Sequence, residues 1–170
     1  MSQPNTPSAF TAGPARLMPG HVLRPRLSEA LLNAHCRLRL LCAPVGSGKS
    51  ALLSECTQQC PTDTRVVYLN LRGKAINAHA LLQRLADALG VASDDPEQIR
   101  QHLDNPSTAI WLMIDDYPRL PDTSLDDALN DLILSASPRI NWWLACRRRP
   151  TLQLTRLLLD GDLFELGSAE

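Results

Sequence analysis

Leu38-Arg-Leu-Leu-Cys-Ala-Pro-Val-Gly-Ser-Gly-Lys-Ser50 is the stretch on which the reading of this chain turns. Leu38 to Cys42 is a compact apolar run of strand length, and a helix is expected from about Ser50 to Gln59. Between them, Ala43 to Ser50 keeps the register G-x-x-x-x-G-K-[ST] of a phosphate-binding loop, with Ala43 in place of the first glycine. Gly46 and Gly48 let the backbone turn so that successive N–H groups form an anion nest. The helix that follows adds the positive end of its dipole and its unpaired amides. Lys49 brings a point charge for the β- and γ-phosphates, and the Ser50 hydroxyl is a hard oxygen ligand suited to Mg²⁺. The candidate nucleotide contacts are therefore Ala43, Pro44, Val45, Gly46, Ser47, Gly48, Lys49, Ser50 and Ala51. Of 17 basic residues only Lys49 and Lys74 are lysines, and one of the two stands in this loop.

Working outward, strands are expected at Val66–Leu71, Ala109–Ile114, Ile140–Cys146 and Leu163–Leu166, each a short apolar or β-branched run. Helices fall between them. Ser28 is placed to cap a short helix running through Cys36. Asn77 caps an amphipathic helix with Ala78, Leu81, Leu82, Leu85 and Leu89 on one face, closed by Gly90. Asp95-Pro96 opens another, Leu125, Leu129, Leu132 and Ile133 mark the next, and Leu152–Leu159 a last. Five strands separated by helices require parallel pairing through crossovers, and continuous apolar strands fit a sheet covered on both faces. The expected architecture is an α/β three-layer sandwich around a five-stranded parallel sheet of order 5-1-4-3-2. Residues 1–20, rich in Pro, Ser, Thr and Gly without periodicity, read as a flexible leader, and 21–170 as a single P-loop NTPase domain.

Trp111-Leu-Met-Ile-Asp115-Asp116 is a buried strand ending in two carboxylates. At the carboxyl edge of a parallel sheet they share a rim with the phosphate loop, where α/β folds bind ligands. Asp115 is then a candidate for holding the metal together with Ser50, and Asp116, with Lys49, a candidate catalytic group that orients the attacking water. The bland alternative is a solvated turn before Tyr117-Pro118. Arg147-Arg148-Arg149 follows the fourth strand on the same rim. Arg147 is the candidate sensor of a γ-phosphate, and Arg148 and Arg149 read as a solvated basic turn. Asp126, Asp127 and Asp131 read as the wet face of a helix, and the scattered His21, His35, His79 and His102 carry no metal-ligand spacing.

Composition removes other classes. The 170 residues are 44% hydrophobic and 21% charged with a net charge of -1, which excludes a largely disordered chain and a nucleic-acid-binding surface. The longest apolar run, Ala109–Ile114, is far short of the ~20 residues that span a bilayer. Cys36, Cys42, Cys56, Cys60 and Cys146 are odd in number and lack CxxC spacing, so reduced thiols in a cytoplasmic protein, without a secretory signal, are expected.

In combination these segments resemble the nucleotide-binding domain of MalT-like, large ATP-dependent LuxR-family transcriptional regulators, which belong to the STAND class of NTPases. Leu23-Arg-Pro-Arg-Leu27 is similar to the family's entry segment, Leu41–Ser50 to its "ICAPAGYGKTT" loop, and Met113–Tyr117 to its "IDDY" Walker B segment. Leu144–Arg147 through Pro150 resembles its sensor strand, and Leu163–Leu166 its "LLEL" strand. The resemblance implies an ATP/ADP switch with Mg²⁺ and slow hydrolysis at most, inactive and monomeric with ADP, self-associating with ATP and inducer. It implies that Arg24, within Leu23–Leu27, lies near the adenine, and that the full-length protein binds DNA and RNA polymerase. The chain ends four residues after the last expected strand. The family's lid, repeats and helix-turn-helix are thus expected to lie outside it, and this part alone is not expected to bind DNA.

Two positions depart from the family. Asn70-Leu71-Arg72 stands where an acidic residue usually follows the second strand, and Leu158 occupies the place of a family arginine. The competing readings are a small P-loop kinase, which needs an acceptor pocket and an arginine-bearing lid, and a non-hydrolysing structural P-loop module.

Overall fold

In the computed structural model, residues 13, 14, 16–93 and 95–167 are described. Most of the expected leader lies outside them. The elements in chain order are α1 (Pro25–Asn33), β1 (Leu38–Cys42), α2 (Lys49–Thr57), β2 (Thr64–Asn70), α3 (Ala78–Leu89), α4 (Pro96–Asp104), β3 (Ala109–Asp115), α5 (Thr123–Ser135), β4 (Ile140–Cys146), α6 (Leu154–Leu159) and β5 (Leu163–Gly167). All the strand pairs are parallel, in the order β2-β3-β4-β1-β5, which is the expected order read from the other edge.

Alternate residues of each strand point to opposite faces, and the two faces build separate cores. Leu41, Tyr68, Trp111, Met113, Trp143 and Ala145 meet Leu31 of α1 and Leu52, Leu53 and Cys56 of α2. Trp111 and Trp143 lie 4.9 Å apart, tilted, and the Arg39 guanidinium sits 4.6 Å over the Trp143 ring. On the other face Leu38, Leu40, Val67, Leu112, Ile114, Trp142 and Leu144 pack against α3, α4, α5 and α6. Each leucine buried in this way is worth ~1.5–3 kcal/mol, so two continuous apolar faces hold the sheet between its helix layers.

α3 and α4 follow their start signals, whereas α1 departs at both ends, stopping at Asn33 short of the expected Cys36, and α6 starts at Leu154, two residues after the expected Leu152. Asn77 accepts from the Ala80 N–H at 2.8 Å, and Asp95 accepts from the Glu97 N–H with Pro96 at the first helical position. Replacing Asn77 with Ala should cost about 1 kcal/mol in chemical denaturation, the usual value of a lost N-cap. Ser28 is not a cap. α1 begins three residues earlier on Pro25, and the buried Ser28 hydroxyl donates to the Arg24 and Pro25 carbonyls inside the helix. Proline at N1, with its φ fixed in advance, outweighs the serine as the start signal.

α2 leaves β1 toward one face of the sheet, whereas α6 leaves the adjacent β4 toward the other. Connections diverging from neighbouring strands open a crevice at their carboxyl ends, and this is where the candidate residues gather.

Candidate functional site

The phosphate loop starts where β1 stops pairing: the Ala43 N–H donates to the Cys146 carbonyl at 3.2 Å, and the chain then turns. Gly46 (φ 78°) and Gly48 (φ 79°) are left-handed, a conformation that costs any other residue a strained backbone. Gly48 is also the N-cap of α2, so the helix amides open directly onto the loop. A Cβ on Gly48 would lie 3.0 Å from Arg24 Nη2, a tight contact that would make that guanidinium shift.

Lys49 Nζ donates to the carbonyls of Ala43 at 2.6 Å and Pro44 at 2.9 Å, which holds the ammonium across the loop. Partial burial lowers its pKa from the ordinary lysine value, and nearby Arg147 lowers it further, while Asp115 and Asp116 oppose the shift. Arg24 braces the loop from outside, donating from Nη1 to Ser47 O at 2.9 Å and from Nη2 to Gly48 O at 2.6 Å. Its backbone N–H donates to Glu55 Oε2 at 3.2 Å, and His21 pairs with the other oxygen of the same buried carboxylate. Arg24 is thus beside the loop, with its guanidinium committed to loop carbonyls. Glu55, which anchors it from α2, was not among the residues singled out by sequence. Its only signal was a charge among the apolar residues of a short helix.

Asp115 ends β3 with 1% of its surface exposed. Its Oδ2 accepts from the Tyr68 hydroxyl at 2.6 Å and its Oδ1 from the Asp116 N–H at 2.8 Å. Burial and this hydrogen bond push the Tyr68 phenol well above its usual range, so tyrosine remains the donor. Asp116 takes φ 50°, a left-handed turn that Asp tolerates better than most residues. The turn is held by the Gly73 N–H on the Asp116 carbonyl at 2.7 Å and by the Tyr117 N–H on the Ala145 carbonyl at 3.0 Å. Arg147 pairs with Asp116, Nε to Oδ1 at 3.2 Å, both half-buried. Arg148 is exposed, and Arg149 is exposed and paired with Glu165 of β5 at 2.9 Å, as a solvated basic turn requires.

One reading fails. Asp127 and Asp131 lie on the wet face of α5, but Asp126 is 3% exposed. It accepts from the Tyr117 hydroxyl at 2.7 Å, the Thr151 N–H at 2.8 Å and the Thr151 hydroxyl. Asp126 and Asn130 stand four apart, beside Leu125, Leu129 and Ile133, so the buried stripe of α5 is wider than its leucines alone suggest. The five cysteines are free thiols, and burial pushes Cys56 up to about 12 and raises Cys146 strongly, keeping both protonated.

The donor set fits a nucleotide with a hard divalent cation. The loop turns on two left-handed glycines into the N-terminus of α2, and Ser50 and Asp115 carry oxygen atoms of the kind a hard cation takes. Among the described residues there is no group of three or more His, Cys, Asp or Glu that could hold a metal ion.

A parallel five-stranded sheet with a glycine-turned loop at a helix N-terminus defines a P-loop NTPase-like nucleotide-binding domain. Residues 32–149 match the family model described as AAA domain, and the chain belongs to that family. Among solved structures, a chain in the structure of Drosophila ORC bound to GC-rich DNA and Cdc6 is similar at 15% identity and TM-score 0.53. It covers 84% of this chain, which spans about half of it (52%). Cdc6p from Pyrobaculum aerophilum is similar at 18% identity and TM-score 0.58, over 92% of this chain and 48% of the other. At these identities the likeness concerns the fold. No curated protein matches the chain. No helix among the described residues is long and apolar enough to cross a membrane.

Proposed function

We propose that this domain is an ATP/ADP-binding switch of the MalT-like STAND kind, with Mg²⁺-dependent hydrolysis that is slow at most. The carrying observation is the Arg147–Asp116 ion pair beside Lys49, at the crevice between oppositely directed crossovers. Gly46, Gly48, Lys49, Ser50 and the flanking loop residues would cradle the phosphates. Ser50 and Asp115 would take the cation, which polarises the phosphates when bound. Arg147 is then the group that distinguishes a third phosphate, because a new anion competes with Asp116 for its guanidinium. The same pairing supports slow turnover: the carboxylate expected to orient water is neutralised by a salt bridge.

Membership of a LuxR-type regulator, and contacts of a longer protein with DNA and RNA polymerase, rest on the sequence resemblance, and a cytoplasmic location on the cysteine pattern. A metabolite kinase is less well supported. α3 and α4, the elements between β2 and β3, bury their apolar faces on the sheet and offer no lid over the phosphates.

Turnover and self-association, measured together with Mg²⁺ and ATP or ADP, test the proposal. A rate on the order of one per minute or below, the range of nucleotide switches lacking a supplied catalytic group, is expected. Light scattering should show a larger species with ATP than with ADP. Rapid turnover that requires a small acceptor would replace the switch with the kinase.

A further inference from the structure

The two loops that carry Asp116 and Arg147 belong to different strands, and a single buried carboxylate joins them. Asp126, on the first turn of α5, receives the Tyr117 hydroxyl from the loop after β3. From the loop after β4 it receives the Thr151 N–H and the Thr151 hydroxyl. One helical turn further, the Asn130 side-chain oxygen accepts from the Gln153 N–H at 3.0 Å, continuing the same seam along α5. Beside the ion pair the first loop is also joined to β4 directly, the Tyr117 N–H donating to the Ala145 carbonyl. Tyr117 is one residue from Asp116, and Thr151 is four from Arg147. The two loops are therefore tied together through Tyr117 and Thr151 on Asp126, next to the residues that make the 3.2 Å ion pair.

A carboxylate at 3% exposure is costly to bury, and a helix of this kind offers cheaper side chains at that position. Three donors from two loops, with no cation among its hydrogen-bond partners, are what compensate it. The Tyr117 phenol is pushed far above its usual range by burial and by Asp126, so the tyrosine stays the donor across this seam. Nothing in the packing of α5 itself requires the charge, because Leu125, Leu129, Leu132 and Ile133 already bury its apolar face.

We propose that Asp126 is a positioning residue for nucleotide discrimination: by tying Tyr117 to Thr151 it sets the spacing of Asp116 and Arg147, and through them the preference between nucleoside tri- and diphosphate. This rests on the reading of the crevice as a nucleotide site. Its consequence is specific. The loop amides and Lys49, which would grip the phosphates shared by both nucleotides, lie between β1 and α2 and at the start of α2, and are not in the seam. Loosening the seam should weaken the triphosphate and spare the diphosphate.

The experiment is titration of the whole chain with ATP and with ADP, each with Mg²⁺, for wild type, Asp126→Asn, Thr151→Val and Tyr117→Phe, with a thermal melt of each. Thr151 is at the surface and loses only one of its two bonds to Asp126 in the valine variant, so that protein folds even where an Asp126 variant does not. The expected result is a ratio of ATP to ADP affinity changed by roughly tenfold in Asp126→Asn, and in the same direction but less in the other two, with ADP affinity held. Equal weakening of both nucleotides together with a lowered melt, or an unchanged ratio in a Thr151→Val protein that melts normally, would make Asp126 purely structural and overturn the proposal. A wild type that binds neither nucleotide would overturn the reading of the site beneath it, and the proposal with it.

Discussion

Lys49→Ala should remove measurable ATP and ADP binding from an otherwise folded chain. The ammonium lies across the loop on the Ala43 and Pro44 carbonyls, at the N-terminus of α2, where the helix amides also open. A polyphosphate placed there gains charge-assisted bonds from Nζ in a partly buried setting, each worth ~1.5–3 kcal/mol. Losing two such bonds lowers affinity by roughly 100-fold or more, enough to take micromolar binding out of calorimetric range. The effect on folding should be small and of either sign. Lys49 is partly buried, and burial and Arg147 both lower its pKa, so removing the charge relieves a repulsion while losing the bonds to the loop. Binding of polyphosphate works against that lowering and favours the charged ammonium. Calorimetry and a thermal melt on the same samples separate the two effects. Retained micromolar affinity in a folded Lys49→Ala protein would sink the phosphate-loop assignment.

The layered fold was legible because its signals are local and repeated. Leu38–Cys42, Ala109–Ile114 and Ile140–Cys146 are apolar runs of strand length, and each lies in the sheet within a residue of the expected bounds. Asn77 and Gly90 bracket α3 as cap chemistry requires. The loop was legible for a different reason. Gly46 and Gly48 mark backbone conformations that few other residues adopt, and Lys49 beside them is one of two lysines in the chain. The polar residues that hold the site together were not legible, because their roles depend on partners distant in sequence. Glu55 meets Arg24 and His21, Tyr68 meets Asp115, and Asp126 meets Thr151. In Tyr68 the strand pattern hides the role: an aromatic on an apolar strand reads as core, and its ring is core. Only its hydroxyl, reaching Asp115 on the neighbouring β3, belongs to the site. Ser28 and Asp126 were misjudged for related reasons. A hydroxyl or carboxylate on a helix is read as exposed or capping until the packing shows which neighbours take its bonds.

Asp115→Asn should still fold, with a lowered melt, and abolish the dependence of nucleotide binding and turnover on Mg²⁺. Both Asp115 oxygens already have a donor, Tyr68 on Oδ2 and the Asp116 N–H on Oδ1, and the residue is almost wholly enclosed. An asparagine can keep its oxygen under the Asp116 N–H, but its amide then faces the Tyr68 hydroxyl, whose proton loses its acceptor, so the variant should lose about 1–3 kcal/mol of stability. What changes is charge. Asp115 is the innermost anion on the rim shared with Ser50, and Lys49 feels it electrostatically. Without it the rim has one neutral hydroxyl and an Asp116 already paired with Arg147, a poor environment for a hard divalent cation. Metal-assisted stabilisation of a transferring phosphoryl group is worth several kcal/mol, so the slow hydrolysis should fall by roughly 100-fold or more. ATP affinity should become the same with Mg²⁺ as with chelator. The contrast with Lys49→Ala is diagnostic: that variant loses both nucleotides whether or not Mg²⁺ is present, whereas Asp115→Asn still binds them but no longer registers the cation. Titrations with Mg²⁺ and with EDTA on both variants would read this directly. Wild-type Mg²⁺ dependence surviving in Asp115→Asn would move the metal-supporting role off the end of β3.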